Sequence, residues 1–419
     1  MTGERSRRGV LALVLLVLAL VTAVLVVGLG DDEYSATPPA DVAAGPRPAE
    51  AATVVQRLAQ ALGDADPEAA AALAPPDDAV AARLLADVAV NVERLRVRDL
   101  TLRFVDVVGG VDAAGRWQAS VDLTWRLGGL DEGTARQELL VGLVNLADGV
   151  AVRSLGVPAG VEPPLGAESR TPLWLTAPVL VSRTRDALVY TTGDQQTLDR
   201  YAGLARRAVP AVRAALPTTG SLVVTVPASA TGLDRVLGVP DGTYGRVAAV
   251  TAHGDGIVAR SSPVHVFVNP SEVARLARVG AQVVLTHEAV HALTDAPSSR
   301  APLWLVEGFA DWVALQDVDL PLTRTARQVR ERVREQGVPV DLPGPEQFDV
   351  TGTHLGAAYE AAWLACVTLA EQVGDDGLVR VYRLTGRGES LETALDRVGG
   401  SRPALVEAWQ ERLRDLPEG

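Results

Sequence analysis

Two histidines and a glutamate form the pattern in this chain that is best suited to chemistry. His287 and His291 lie four residues apart in the segment THEAVHALT, although the chain has only five histidines, and they flank Glu288. On an α-helix, residues four apart differ by about 40° of rotation, so both imidazoles project from one face and can bind one metal ion. Glu288 is rotated by about 100° from His287, which lets its carboxylate reach a water on the metal without binding the metal. The spacing therefore predicts a hydrolytic zinc site with Glu288 as its base, and the alternative is a partly buried histidine pair beside an unrelated glutamate.

A second carboxylate follows in another apolar segment, APLWLVEGFADWVAL, which predicts a helix with Pro302 near its start. Glu307 and Asp311 are one turn apart on this helix, and two charges in an apolar helix are costly unless they are compensated. A metal ion would compensate Glu307 and give the site the third protein ligand that catalytic zinc usually has. Asp311 could then accept the second N–H of a ligand histidine and fix its tautomer. The alternative is that this pair lies on a solvated helix face.

Together the two segments, THEAVHAL and PLWLVEGFADWVA, resemble the gluzincin metallopeptidases, in particular the peptidase-MA-like branch with its H-E-x-x-H and W-L-x-E-G-x-A pattern. The resemblance covers roughly Thr171 to the C-terminus. It implies zinc bound by His287, His291 and Glu307, Glu288 as general base and proton shuttle, and a peptide or protein substrate. One departure is the interval of fifteen residues between His291 and Glu307, which is shorter than in thermolysin-like members.

The same resemblance implies a tyrosine or histidine downstream that stabilises the oxyanion of the reaction. Tyr359, in HLGAAYEAAW, matches the usual position, and His354 is the alternative. The family also has an edge strand that pairs with the peptide backbone just before the active helix, and VHVFVNP is expected to be that strand. His265 within it is expected to be structural.

Periodicity predicts the elements that would position these residues. Residues 173–419 contain alternating strand and helix patterns and then long helices, so we expect a sheet followed by a mostly helical half. Residues 51–156 begin with helical patterns and continue with alternating strands, an order that resembles the cone-shaped SnoaL-like or nuclear-transport-factor-like domains. Pro- and Ala-rich segments at 31–50 and 157–172 are predicted linkers.

The N-terminus predicts a membrane anchor. Arg5, Arg7 and Arg8 precede an uncharged stretch from Val10 to Gly30, which is long enough to cross a bilayer as a helix. The arginines place the N-terminus in the cytoplasm and the remaining chain outside, so residues 1–30 are predicted to be a cytoplasmic tip and single-pass anchor. The alternative is a protein that is secreted after signal cleavage. The full expectation is an α+β fold with a transmembrane helix, a small cone-like domain and a gluzincin-type domain.

Composition excludes several classes of function and chemistry. The net charge of −13 disfavours a nucleic-acid partner, and all 39 basic residues are arginine, which removes Schiff-base and P-loop chemistry. The single cysteine, Cys366, allows neither an intrachain disulfide nor a thiolate zinc cluster. The sequence therefore favours a membrane-anchored, extracytoplasmic zinc metallopeptidase. A catalytically silent surface binding or scaffold protein and a small-ligand-binding role for the cone-like domain remain alternatives, and the oligomeric state stays open.

Overall fold

A computed structural model describes residues 45–157, 170–259, 261–349 and 354–417, which form an α+β architecture with two β-sheets. The first region has three helices followed by four strands. In chain order its elements are α1 Pro48–Gly63, α2 Pro67–Ala71, α3 Ala79–Leu95, β1 Val97–Val108, β2 Arg116–Leu127, β3 Ala135–Leu146 and β4 Gly149–Leu155. The strands pair antiparallel in the order β1-β2-β3-β4, so the sheet is a meander.

The core of the first region follows from the alternation of its strands. Successive side chains of a strand point to opposite faces, and β2 buries one of its faces with Trp117, Ala119, Val121, Leu123 and Trp125. The helices close this face with buried leucines, Leu58 and Leu62 from α1 and Leu85 and Leu95 from α3. The helices thus bury the apolar face of this sheet.

The second sheet is mixed and has five strands. In chain order the elements of this part are β5 Leu180–Arg183, β6 Ala187–Thr191, α4 Gln195–Ala215, β7 Leu222–Val226, α5 Ala230–Leu237, β8 Ala249–His253 and β9 Val264–Val268. The strand order is β5-β6-β7-β9-β8, with β6, β7 and β9 parallel and β8 antiparallel to β9. A strand at the end of this order, β8, is therefore an edge of the sheet.

The expectation that VHVFVNP is the edge strand is wrong. This segment forms β9, which pairs with β7 on one side and with β8 on the other. Four of its five residues, from His265 to Val268, are buried, as a strand covered on both faces requires. The edge position belongs to β8, which precedes β9 in the chain.

The two faces of the second sheet contribute to different cores. Val189 and Val224 join the core of the helical half, whereas Leu188, Tyr190 and Val223 join the core of the first region. Alternate residues on β6 and β7 thus link the two halves of the molecule through one sheet. The domain boundaries that the sequence predicts at 51–156 and 173–419 stay predictions, and most of the linker 157–172 lies outside the described residues.

The helical half follows the second sheet. In chain order its helices are α6 Pro270–Arg275, α7 Arg278–Thr294, α8 Leu303–Leu315, α9 Leu322–Thr325, α10 Arg327–Gln336, α11 Leu355–Val373, α12 Asp375–Gly386, α13 Leu391–Asp396 and α14 Arg402–Arg414. Helix α8 packs closely on α11 at Gly308, where a Cβ atom would lie 2.3 Å from the carbonyl oxygen of Ala362 and 2.9 Å from Cys366 Sγ. Only glycine permits this approach, and Cys366 is buried at the contact.

The prediction of a transmembrane helix and a single-pass localisation is wrong for the part of the chain that the structure describes. The predicted segment, 1–30, lies outside the described residues, and no described helix is long and apolar enough to cross a membrane. A spanning helix needs about 20 predominantly apolar residues. Helix α4 has the length, with 21 residues, but its arginines and aspartate exclude it.

Candidate metal centre

Helix α7 carries the two histidines of the predicted site. Leu285, Ala289 and Val290 anchor this helix in the core, and their packing fixes the direction in which the two histidine side chains project. The rings of His287 and His291 have centroids 4.5 Å apart, and their Nε2 atoms are separated by 2.9 Å. The four-residue spacing therefore brings two ring nitrogens to one point, as the helical geometry predicts.

Helix α8 brings Glu307 to the same point. Its Oε2 lies 3.2 Å from the Nε2 atom of His287 and 3.2 Å from that of His291. These three side chains are the one group of metal-binding type that the described residues bring together. All three are largely buried.

The separations fit a zinc ion. Three atoms that are 2.9, 3.2 and 3.2 Å apart lie on a circle with a radius of about 1.8 Å. Because this radius is smaller than the usual zinc–nitrogen and zinc–oxygen bond lengths of about 2.0–2.2 Å, the three atoms could bind one zinc ion together. Two histidines and one carboxylate also leave a position for water, as catalytic zinc sites do.

Asp311 sets the tautomer of His287. Its Oδ1 lies 2.7 Å from His287 Nδ1. Since a carboxylate only accepts hydrogen bonds, Nδ1 donates to Asp311, which leaves Nε2 as the ring nitrogen that faces Glu307. Glu307 and Asp311 are one helical turn apart. The Glu307 carboxylate therefore lies beside the converging Nε2 atoms, and the Asp311 carboxylate lies beside Nδ1 on the far side of the His287 ring.

The charges of the cluster favour a cation. Burial raises the pKa of Glu307, but His291 and His287 outweigh it and lower this pKa well below its usual range, so the carboxylate stays ionised. Burial lowers the pKa of His287, but Asp311 and Glu307 outweigh it and raise this pKa well above its ordinary value. The two carboxylates thus favour positive charge at His287, where a divalent cation could replace the proton and balance the charge of this largely buried site.

Glu288 lies on the same helix but outside the group of converging donors. Its side chain is nearly buried, and Oε2 is 2.6 Å from the hydroxyl of Thr251 on the edge strand β8. The carboxylate is therefore held next to the strand that has an open edge. This position is compatible with a base that acts on water and not on the metal.

The alternatives for an oxyanion donor differ in their surroundings. The ring of Tyr359, on α11, has its centroid 6.0 Å from that of His287. Burial, and then the carboxylates of Glu307, Glu288 and Asp311, raise the pKa of Tyr359, so the phenol stays protonated beside the site. His354 is exposed at the start of α11, where its Nε2 is 3.4 Å from Gln336 Nε2.

His265 is placed away from this cluster. Its Nε2 is 2.9 Å from Asp131 Oδ1 in the turn after β2, and both side chains are buried. It joins the second sheet to the first region, in agreement with the structural role expected for it.

Two residues near the site were not identified from the sequence. Gly308 adjoins Glu307 and permits the contact between α8 and α11, and the Glu-Gly pair in WLVEGFA is the feature that could have indicated it. Thr251 contacts Glu288 across 37 residues of sequence, and no spacing rule indicates such a contact.

Comparison with known proteins adds little to this description. Neither the models of protein families nor the curated proteins give a match to this chain. Among solved structures, native yeast LTA4 hydrolase is similar at 11% sequence identity and a TM-score of 0.35, over 66% of this chain and 44% of that chain. This chain thus spans less than half of that structure.

Proposed function

We propose that this chain is a zinc-dependent metallopeptidase that hydrolyses peptide bonds. The observation that carries the proposal is the convergence of His287 Nε2, His291 Nε2 and Glu307 Oε2, with pairwise separations of 2.9 to 3.2 Å. Asp311, which accepts from the far nitrogen of His287, adds the orienting partner that ligand histidines usually have. The H-E-x-x-H and W-L-x-E-G-x-A pattern adds the reaction class.

Zinc at this site would supply a Lewis acid and lower the pKa of a bound water. The chain's own residues then have distinct tasks. Glu288 takes a proton from the attacking water and gives it to the leaving amine, since a carboxylate next to the ligands can both accept and return a proton. Tyr359, neutral at physiological pH, donates to the developing negative charge on the carbonyl oxygen.

The edge strand offers a surface for the substrate. The hydrogen bonds from Gly254 to Pro263 and from Asn269 to Ala248 show that even-numbered residues of β8 form hydrogen-bonded pairs with odd-numbered residues of β9. The backbone groups of Ala249 and Thr251 consequently face away from β9, towards the open edge. An extended peptide can pair there as an additional strand, with its scissile bond beside Glu288.

The test is metal content and turnover measured on the same purified protein. We expect about one zinc per chain, hydrolysis of peptides in a mixed library, and loss of hydrolysis when a chelator removes the metal. Glu288→Gln should lower turnover by about 10² to 10⁴, the factor that general base catalysis supplies, while zinc content is unchanged. Glu335→Gln, the same change at an exposed residue of α10, is the matched control.

The outcomes separate the alternatives. Wild-type turnover in Glu288→Gln would remove Glu288 from the mechanism. Zinc binding without hydrolysis of any peptide would contradict the proposal and favour a catalytically silent binding protein. Absence of zinc from the wild type would contradict the metal centre itself.

A further inference from the structure

We infer that Thr251 is a positioning residue that holds the carboxylate of Glu288 in the orientation needed for proton transfer. The inference rests on the function proposed above, and it concerns a contact between the edge strand β8 and the helix α7. The Thr251 hydroxyl oxygen lies 2.6 Å from Glu288 Oε2 and 3.1 Å from the backbone oxygen of Glu288.

The hydroxyl donates to the carboxylate and not to the backbone. A threonine has one O–H proton, so it can serve one of these two acceptors fully. The Glu288 carbonyl lies within α7, where it already accepts the helical hydrogen bond from the N–H four residues later, so its need for a second donor is small. The carboxylate oxygen is nearer and carries charge, and hydrogen bonds to ionised acceptors are shorter and stronger.

This bond removes a freedom that Glu288 would otherwise have. The terminal torsion of a glutamate side chain is broad, so a carboxylate without a partner turns readily about its last bond. Among the described residues, no other side chain forms a hydrogen bond with the carboxylate of Glu288. Fixing Oε2 on Thr251 leaves Oε1 to receive the proton of the water and to return it to the leaving group.

Thr251 is itself well fixed. It is β-branched, which restricts its χ1 torsion, and it lies in the middle of β8, where it is opposite Val266 of β9. The anchor therefore belongs to the sheet and the base to the helix. Strand β8 offers its open edge to a peptide backbone and also orients the base. One element therefore positions both the substrate and Glu288.

Steady-state kinetics on Thr251→Val and Thr251→Ser test this role. Valine has the shape of threonine and keeps the strand, but it has no hydroxyl. We expect kcat to fall by about 10- to 100-fold, the factor for losing one hydrogen bond to a charged group, with KM and zinc content unchanged. Thr251→Ser restores the hydroxyl and should return kcat to within about threefold of the wild type, since one hydroxyl can replace the other.

Thr286→Val is the matched control. Thr286 is a buried threonine of α7 that precedes Glu288 by two residues, and its hydroxyl is 3.0 Å from Gln282 Nε2. This variant should keep the wild-type kcat. It shows whether loss of any buried hydroxyl near the site has the same effect.

Three results would overturn the inference. These are an unchanged kcat in Thr251→Val, a change confined to KM, and a serine variant as slow as the valine variant. Each leaves the proposed function intact if the wild type is an active zinc enzyme. A wild type without metal-dependent hydrolysis would instead overturn the proposed function and this inference with it.

Discussion

Asp311 offers a test of the metal centre in which no proposed ligand is changed. Its Oδ1 lies 2.7 Å from His287 Nδ1, and Asp311→Asn keeps an oxygen acceptor of the same size but removes the charge. A hydrogen bond to a charged group contributes about 1.5–3 kcal/mol and a neutral one about 1 kcal/mol. The substitution therefore removes about 0.5–2 kcal/mol. Since 1.4 kcal/mol is a factor of ten, we expect the Kd for zinc to rise by about 2- to 30-fold.

The assay is competition for zinc between the metal-free protein and a chromophoric chelator at fixed pH and ionic strength. Asp311→Ala should have a larger effect, about 100-fold, because it leaves the N–H of His287 without its acceptor in a largely buried site. Asp317→Asn removes the same charge from an exposed position just after α8 and should leave the Kd unchanged. The comparison separates the hydrogen bond from the general effect of one negative charge.

One pattern of results would refute the reasoning. If Asp311→Asn and Asp317→Asn bind zinc as the wild type does, while Glu307→Gln has lost tight binding, then Asp311 does not contribute to the site. The 2.7 Å contact would then be an ordinary ion pair without influence on the ligand.

Two further predictions concern helix α11. Gly308→Ala should lower the free energy of unfolding by about 1–3 kcal/mol and weaken zinc binding, because the new methyl would lie 2.3 Å from the Ala362 carbonyl oxygen. Thermal unfolding measures this change, and Gly203→Ala, in an open part of α4, is the control that should stabilise slightly. Tyr359→Phe should lower kcat by about 10² to 10³ while zinc content stays constant. Tyr201→Phe, on α4, is the control for the loss of a phenol. An equal kcat in both variants would exclude Tyr359 as a donor.

The part of the site that lies within single helices was predictable from the sequence. His287 and His291 are related by the helical period, and so are Glu307 and Asp311, so their relative directions follow from spacing alone. The convergence of the two helices was expected only from the chemistry, since zinc needs a third ligand. The structure places Glu307 within 3.2 Å of both histidines, which is the geometry that this expectation required. Their role as metal ligands stays a prediction.

The parts that depend on sheet order were not predictable. The segment VHVFVNP has the apolar pattern of a strand, but the pattern does not show whether one or two neighbours cover it. In the structure this segment is β9, in the interior of the sheet, and the less apolar segment AVTAH is the edge strand β8. The contact between Thr251 and Glu288 depends on that order, so it could not be anticipated before the strands were placed. The anchor predicted at 1–30 was inferred from hydropathy, which reports no tertiary contact.

The separation of the proposed ligands is determined by the hydrophobic core. Glu307 and Gly308 are neighbours, and the close approach of α8 to α11 at Gly308 fixes the height of the Glu307 carboxylate above α7. Helix α11 also carries Tyr359, so the same packing sets the distance from the phenol to the histidines. Small zinc domains depend on the metal for their fold, because their ligands converge only when it binds. In this chain packed helices hold the three donors within 3.2 Å of one another, so the proposed zinc site would depend on the core for its geometry.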